Sequence, residues 1–265
     1  MASGVSEFVG SAEPLSAATF SDVTSRLGVE PAAIWAVLAV ETSGCGFLPD
    51  RRPKILFERH VFHRQTGGRF DDEAPDISNS QSGGYGPEGV HQYDRLARAI
   101  PLDRAGALKS SSWGLGQTMG FNFAELGFDN VELMVAAVKK SEDSHLLAME
   151  RFIKNHGIDQ ALKSHRWADF ADVYNGPNFE DNNYDGKLRD NFTKYSKGPL
   201  PDLIVRSAQI FLMYLDLKPG PIDGVLGAAT GSALKQAGLD NSVVNEATIV
   251  SLKEVLNKRP GQGAA

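Results

Sequence analysis

Cysteine is scarce in this sequence of 265 residues, and long apolar runs and an excess of basic charge are missing from it. The single cysteine, Cys45, excludes an internal disulfide and a cysteine-based metal site. No run approaches the roughly eighteen apolar residues that a membrane span needs. The net charge of −6 argues against nucleic-acid binding, because no basic stripe is available to neutralise phosphates. It also argues against a basic amphipathic helix that would bind a membrane directly.

The first ten residues, MASGVSEFVG, lack the positive charge and the long apolar core of a secretory signal. We therefore expect synthesis in the cytoplasm, and another route if the protein acts elsewhere. The sequence contains no apolar heptad repeat, so we expect a monomer.

The clearest break in the chain is SKGPLPD at residues 196–202, where Gly and Pro lie among polar residues. Six basic and six acidic residues follow residue 198, so the whole net charge belongs to the part before it. We predict two domains, residues 1–196 and 197–265.

The larger part has mainly helical patterns. Ser16 is a candidate N-cap and Gly28 a stop signal for one helix, and Pro31 suits the first turn of the next. Apolar residues at helical spacing predict a single long helix from Val131 to His156. The stretch from about 64 to 93 is polar and rich in Gly and Pro, which predicts a long loop of the kind that is usually functional or mobile.

Glu41 lies on the apolar side of the helix that begins at Pro31. Ile34, Val37 and Leu38 form one stripe, and Glu41 follows them at helical spacing. A carboxyl group there is partly desolvated, which raises its pKa and keeps a proton available to a leaving oxygen. On position alone, a solvated residue at a fraying helix end is the more common explanation.

A second carboxylate, Glu58, follows the apolar strand-forming residues of KILFERHVFHR. Glycoside hydrolases typically use two carboxyl groups that face each other across the substrate cleft. The simpler explanation is an ion pair with Arg52, Lys54 or Arg59.

Four further residues are candidates for ligand contacts. Ser43 lies in the turn after Glu41, where small residues leave room for a bulky ligand. The amide of Gln117, between glycines in SSWGLGQTMGFNF, offers a donor and an acceptor to sugar hydroxyls. Tyr174 and Asn175 close an apparent helix and suit stacking on a sugar ring and bonding to an acetamido group. Alternatively, Gln117 only braces its loop and Asn175 only ends the helix.

The C-terminal segment predicts a small three-helix bundle. An amphipathic helix that contains Gln209 precedes the stiff turn PGPIDGVLG at 219–227, and two shorter helical segments follow. Within the turn, Asp223 can accept backbone N–H groups and cap the next helix, while Gly224 permits positive φ.

The stretches VETSGCGF, RPKILFERHVFHR, SSWGLGQTMGFNF and YNGPNFEDNNYDGKL closely resemble the N-acetylmuramidase domain of phage endolysins active on Gram-negative cell walls. That family looks distantly similar to goose-type lysozymes and soluble lytic transglycosylases. The resemblance covers about residues 15–195. It implies a mainly α fold, with a lysozyme-like helical catalytic domain to which a small β-hairpin can belong.

By this match Glu41 takes the place of the catalytic acid, and Gln117, Tyr174 and Asn175 fall on cleft-lining positions. Glu58 transfers less directly, as the group that orients or activates the attacking water. The resemblance implies that no cofactor or metal is needed.

The C-terminal segment resembles the three-helix peptidoglycan-binding module. That module has a helix with Gln, then G-x-I-D-G-x-x-G, then a Thr-x-x-Ala-Leu helix; the counterparts here are Gln209, residues 220–227 and residues 230–234. The match implies that Asp223 and Gly224 mark a wall-binding module. The alternative is a helical appendage that only docks on the catalytic domain.

Together these resemblances predict a peptidoglycan hydrolase that cleaves the β-1,4 bond between N-acetylmuramic acid and N-acetylglucosamine. Its partners would be glycan strands, and as an endolysin it would be made in the host cytoplasm and act on the periplasmic wall. Three alternatives stay open: a lytic transglycosylase that leaves 1,6-anhydro ends, an exported antibacterial effector with the same domain, and a non-catalytic wall-binding protein.

Overall fold

The computed structural model describes residues 6–42 and 44–258, which are mainly α-helical with one small antiparallel sheet, as predicted. The helices of the first part are α1 (Ala17–Leu27), α2 (Pro31–Thr42), α3 (Arg59–Thr66), α4 (His91–Ala99), α5 (Arg104–Lys109), α6 (Val131–Val138), α7 (Glu142–Asn155), α8 (Asp159–Lys163), α9 (Trp167–Tyr174) and α10 (Tyr184–Lys197). The last three helices are α11 (Leu203–Tyr214), α12 (Ala228–Gln236) and α13 (Glu246–Asn257). The strands are β1 (Ile55–Phe57), β2 (Ser111–Trp113) and β3 (Thr118–Met119), and short 3-10 helices cover Ser6–Phe8, Gly120–Asn122 and Phe179–Asn182.

The predicted ends of the first two helices are confirmed. The hydroxyl of Ser16 accepts the backbone N–H of Thr19, which satisfies one of the free donors at the start of α1. Gly28 ends α1 in the left-handed conformation, with φ of 65°. Pro31 is the first residue of α2.

Helix α2 runs through the larger of the two apolar cores in the first part of the chain, before residue 197. Seven consecutive residues from Ala32 to Leu38 are buried, so the helix has no solvent face over that length. Helix α10 packs along it, and α1, α7 and α9 complete this core. The enclosed helix carries Glu41 to the point where the core opens.

The three strands form a sheet of order β1-β2-β3, beside a second core built mainly from α3 to α6. Ile55 pairs with Trp113 and Phe57 with Ser111, so β1 runs antiparallel to β2. The predicted short strand at Ile55–Phe57 and the β-hairpin of β2 and β3 are thus both confirmed.

The long helix predicted from Val131 to His156 is wrong, because the chain breaks it into α6 and α7. The N-terminal segment runs across the break, where the N–H of Ala12 bonds the carbonyl of Lys139 at 3.2 Å. Ser141 then starts α7 as an N-cap. The apolar periodicity continues through the break. The backbone groups at the break, however, form hydrogen bonds with the N-terminal segment and not with the next turn of a helix.

The connection predicted at 196–202 is confirmed, since α10 ends at Lys197 and α11 begins at Leu203. Helices α11, α12 and α13 form the predicted three-helix bundle. The prediction that Asp223 caps the next helix is wrong. Gly227 occupies the N-cap position of α12, and Asp223 accepts the N–H of Val225 instead.

In the described part of the chain, no helix on its own has the length and apolar character needed to cross a membrane. Helices α1 and α2 meet that criterion only as a pair, with a bend of 111° between them.

Candidate active site

Glu41 opens into a cavity of about 490 Å³ at the end of α2. We call this space the Glu41 cavity. Its described lining residues come from α2, the segment before and within β1, the loop before α4 with the first turn of α4, and the turn between β2 and β3: Glu41, Thr42, Leu48, Lys54, Ile55, Leu56, Glu88, Gly89, Gln92 and Gln117. Ser43, which the sequence also suggests as a ligand contact, lies outside the described residues.

The environment of Glu41 favours its protonated form at neutral pH. Burial raises the pKa of this carboxyl group from its ordinary 4.5 to about 7, in the direction that its helix position predicts. The hydroxyl of Tyr184 donates a hydrogen bond to Oε1, and this bond opposes part of the rise in the pKa. A carboxyl group of this kind can hold a proton and release it near pH 7.

Tyr184 is a residue of the site that sequence reasoning missed. It is the first residue of α10, is buried, and reaches Glu41 because α10 packs along α2. The stretch YNGPNFEDNNYDGKL contains two tyrosines, and the sequence directs attention to Tyr174 at its start. The spacing of Tyr184 and Leu188, one helical turn apart, is a sequence signal that places both on the buried face of α10, but it does not pair Tyr184 with Glu41.

Lys54 stabilises the last turn of α2 through a hydrogen bond to its backbone. Its ammonium group donates to the carbonyl of Thr42 at 2.9 Å, where a helix presents free carbonyls and partial negative charge. It therefore does not form the ion pair with Glu58 that the sequence allows. The two residues that follow it, Ile55 and Leu56, contribute apolar wall to the Glu41 cavity.

Gln117 lies where two cavities meet, but its amide is already bonded within the protein. Nε2 donates to the carbonyl of Gly114 at 2.7 Å and to that of Lys54 at 3.3 Å, while Oε1 accepts the hydroxyl of Ser112 at 2.7 Å. Its φ of 46° is rare for a residue with a side chain. Gln117 thus braces the turn, as the simpler explanation holds, while exposing part of its side chain to both cavities.

A second cavity of about 270 Å³ continues from Gln117 and is lined by Tyr174 and Asn175. The hydroxyl of Tyr174 donates to the carbonyl of Gly116 at 2.7 Å, and its ring stacks on Phe170 with centroids 5.0 Å apart. Asn175 follows α9 as its C-cap residue. Tyr174 therefore supports the glycine-rich turn, and Asn175 faces the second cavity, which we call the Asn175 cavity.

Glu58 follows β1 directly and precedes α3, but it is not among the described residues that line the Glu41 cavity. Burial raises the pKa of its carboxyl group. Its closest basic neighbour is His60, with Nδ1 3.2 Å from Oε2. Burial also lowers the pKa of His60, which favours a neutral imidazole, so this contact is not an ion pair at neutral pH.

Glu88 is the second carboxylate that does line the Glu41 cavity, and sequence reasoning did not single it out. It belongs to the long polar loop, which Gln92 ties to the sheet. Nε2 of Gln92 donates to the carbonyls of Tyr85 and Pro87, at 2.7 and 2.8 Å, and its Oε1 accepts the N–H of Phe57. The predicted loop therefore forms one wall of the site.

Asp223 and Gly224 lie in the C-terminal bundle, where Gln209 holds their turn. Oε1 of Gln209 accepts the N–H groups of both residues, at 3.0 and 2.9 Å, and Nε2 donates to the Asp223 carboxylate at 2.9 Å. A Cβ at Gly224 would lie 2.6 Å from the backbone nitrogen of Asp202, so only glycine fits. The residues that carry the module resemblance thus build the shape of this turn.

The catalytic part is similar to known cell-wall enzymes. The family model for N-acetylmuramidase matches residues 30–196, which include Glu41, Gln117 and Tyr184. The crystal structure of Burkholderia AP3 phage endolysin is 41% identical, with a TM-score of 0.63 over 70% of this chain and 72% of that chain. No curated protein sequence matches. The chain therefore belongs to the N-acetylmuramidase family, and is a glycoside hydrolase with a lysozyme-like fold that acts on peptidoglycan.

Proposed function

We propose that the protein cleaves the β-1,4 bond between N-acetylmuramic acid and N-acetylglucosamine, with Glu41 as the general acid. We further propose that it serves as an endolysin, which degrades the wall of the bacterial host from within. The observation that carries the proposal is the partly buried Glu41 carboxyl group, whose pKa of about 7 keeps it substantially protonated beside a cavity of sugar-binding size.

In the proposed reaction, Glu41 gives its proton to the bridging oxygen as the bond from that oxygen to the anomeric carbon breaks. Tyr184 occupies Oε1, so the proton to be transferred resides on Oε2. Once the proton has left, the hydroxyl of Tyr184 donates to a charged carboxylate, and such a bond is stronger than one to the neutral acid. Tyr184 therefore assists the transfer and holds the acid in one orientation.

Water then attacks the anomeric carbon and releases a proton to a base, which yields a reducing N-acetylmuramic acid end. Glu58 remains our prediction for the group that orients or activates this water, and Glu88 is a second candidate because it lines the Glu41 cavity. Glu58→Gln and Glu88→Gln distinguish the two, since only the variant at the base should lose turnover while retaining binding. Water attack from the opposite face would invert the anomer and needs a wide separation between the carboxyl groups.

A lytic transglycosylase is the second candidate, favoured by the absence of Glu58 from the described lining of the Glu41 cavity. In that reaction the 6-hydroxyl of the muramic acid residue attacks the anomeric carbon in place of water, gives its proton to the Glu41 carboxylate, and leaves a 1,6-anhydro end. No water activator is then required, and neither Glu58→Gln nor Glu88→Gln should lower turnover substantially.

The test is mass spectrometry of the soluble products from purified peptidoglycan, with the wild type beside Glu41→Gln. We expect reducing N-acetylmuramic acid ends from the wild type and a loss of about 10²- to 10⁴-fold in the variant. Anhydro ends, one water lighter, would support the transglycosylase instead. Intact walls after treatment with the wild type would contradict both candidates.

We propose that residues 197–265 form a wall-binding module in which Asp223 and Gly224 act by shaping the turn. That turn exposes Val225, with 57% of its surface accessible, beside Leu226. In a Glu41→Gln background, Val225→Asp should weaken sedimentation with purified walls. Val250→Asp, at a similarly exposed position on α13, is the matched control and should bind like the parent.

A further inference from the structure

A buried ion pair joins the C-terminal bundle to the catalytic part. Arg206 of α11 contacts Glu142, the first residue of α7, with Nη1 to Oε2 at 2.6 Å and Nη2 to Oε1 at 2.8 Å. Both side chains are wholly inaccessible to solvent. Burial of two charges is costly unless their remaining donors and acceptors are also satisfied, so their other partners show what the pair holds in place.

Those partners lie mainly in the turn that follows Glu41. Oε1 of Glu142 accepts the N–H of Gly46 at 2.8 Å, and Oε2 accepts that of Leu15 at 2.9 Å. Nε and Nη2 of Arg206 donate to the carbonyl of Gly44 at 2.9 and 2.5 Å. The ion pair therefore fixes this turn through a donor and an acceptor of its backbone.

The turn has no space in which to relax. A Cβ at Gly44 would lie 2.6 Å from the carbonyl oxygen of Ile222, in the PGPIDGVLG turn of the C-terminal bundle. A Cβ at Gly46 would lie 2.7 Å from the backbone nitrogen of Leu115, beside the Glu41 cavity. Contacts below 3.0 Å leave no room for a methyl group, so the turn is confined between the bundle and the catalytic part.

The bundle also shares an apolar core with the same turn. Cys45 and Phe47 pack in one cluster with α11, α12 and α13, and so does Ala12 of the N-terminal segment. The buried hydroxyl of Tyr214 donates to the carbonyl of Ala12 at 3.0 Å. A module attached in this way is part of the catalytic unit's packing and is not free to move on a flexible linker.

We propose that Arg206 is a positioning residue for Glu41, acting through Glu142 and the Gly44–Gly46 turn, so that the C-terminal module completes the active site. This inference rests on the proposed role of Glu41 as the acid. Without Arg206, the buried Glu142 carboxylate loses its counter-charge. The Gly44–Gly46 turn also loses the hydrogen bonds from Arg206 that hold the carbonyl of Gly44. Water then reaches the end of α2, and the acid loses part of the burial on which its protonation depends.

The test uses the full-length protein and short soluble peptidoglycan oligosaccharides, on which anchoring to a polymer gives no advantage. Arg206→Lys keeps a positive charge opposite Glu142 but lacks the planar fork that reaches both partners. The double variant Arg206→Met with Glu142→Met removes both charges and leaves none unpaired. Lys253→Met is the matched control, because it breaks an exposed ion pair to Glu13 across the same contact, at 2.7 Å, together with a cation–π contact to Phe211, and leaves the buried pair intact.

We expect kcat to fall about 10- to 100-fold in both Arg206 variants, with KM changed much less. The alkaline limb of their pH–kcat/KM profiles should move to lower pH, and Lys253→Met should match the wild type. Unchanged kcat and an unchanged limb in folded Arg206 variants would overturn the proposal. So would a loss confined to binding of intact walls, because that is the behaviour of a tether.

A second readout needs no activity at all. The pH dependence of the difference in thermal stability between Glu41→Gln and its parent reports the pKa of Glu41 by linkage. Measured with and without Arg206→Lys, it should show the pKa falling when Arg206 is replaced. If Glu41 is not the acid, Glu41→Gln keeps its turnover on peptidoglycan while this pKa shift persists; if Arg206 does not position Glu41, the shift itself is absent.

Discussion

At the scale of single residues, the chemistry of the site depends on one carboxyl group in a setting that opposes its ionisation. Desolvation at the end of α2 raises the pKa of Glu41, and Tyr184 sets a limit to that rise by bonding the charged form. Burial of Tyr184 in turn raises the pKa of its phenol well above the ordinary value, so it remains a donor at neutral pH. Together they hold one proton in one orientation.

Activity should therefore decrease as the pH rises through about 7, because the acid must be protonated to react. Tyr184→Phe removes the bond that lowers the pKa of Glu41, so the alkaline limb of the pH–kcat/KM profile should move to higher pH. Its maximum should fall at the same time, because the carboxylate formed in the reaction loses a donor. Tyr195→Phe, the same change on the same helix, is the control. A limb that moves to lower pH in Tyr184→Phe would contradict the assignment.

Glu41 should also destabilise the folded protein at high pH. Below pH 4.5 the group is protonated in both the folded and unfolded states; between 4.5 and about 7 only the unfolded state ionises, and stability is lost. The cost reaches at most roughly 3 kcal/mol above pH 7, since part of the side chain faces the cavity. Glu41→Gln should thus gain in melting temperature over the wild type at pH 8 more than at pH 4. Glu88→Gln, on the exposed cavity wall, should show no such pH-dependent gain.

At the scale of elements, the signals that could be read from the sequence are the local ones. Ser16, Gly28 and Pro31 mark helix ends through groups within one turn of the chain, and the face of Glu41 follows from helical spacing alone. The break between α6 and α7 depends on hydrogen bonds from a segment distant in the sequence. The choice of Tyr184 as the partner of Glu41 likewise depends on how α10 crosses α2, which no local pattern specifies.

The turn after α2 should be intolerant of any side chain at Gly46. A Cβ there would lie 2.6 Å from Nδ1 of His145, in addition to the contact with Leu115. Gly46→Ala should lower the free energy of unfolding by about 1–3 kcal/mol, because neither neighbour can move freely. Gly231 lies within α12, and the nearest atom to a Cβ there is Nδ2 of Asn241 at 3.4 Å, so Gly231→Ala should be neutral or stabilising by up to about 1 kcal/mol. Chemical denaturation of both variants, side by side, measures the contrast.

At the scale of the whole molecule, residues 1–196 and 197–265 remain the predicted domains, but their contact is built like a protein interior. A buried ion pair and a shared apolar cluster join them, and the PGPIDGVLG turn packs closely against the turn after Glu41. The linker between them is visible in the sequence because Gly and Pro are local signals. The contact between the two parts cannot be predicted from the sequence, because no sequence pattern pairs Arg206 with Glu142.

A chain cut after residue 196 should fold poorly, since it leaves Glu142 buried without its partner at a cost of about 3–5 kcal/mol. It also exposes the apolar surface around Cys45 and Phe47. Glu142→Met in the shortened chain should restore part of the lost stability by removing the unpaired charge. A shortened wild-type sequence that melts at the temperature of the full protein would show that the contact contributes nothing to folding.

The reactivity of Cys45 can measure how often the contact between the C-terminal bundle and the catalytic part opens. It is the chain's single thiol, it is buried beneath the C-terminal bundle, and burial raises its pKa to about 11. A thiol reagent can reach it only while the bundle has lifted away, so the rate of modification counts those openings in the unmutated protein. The same chemistry limits how long the enzyme stays active. In an oxidising medium, the Cys45 thiol can be oxidised during an opening, and an oxidised thiol would keep the bundle from packing back, which leaves the enzyme inactive.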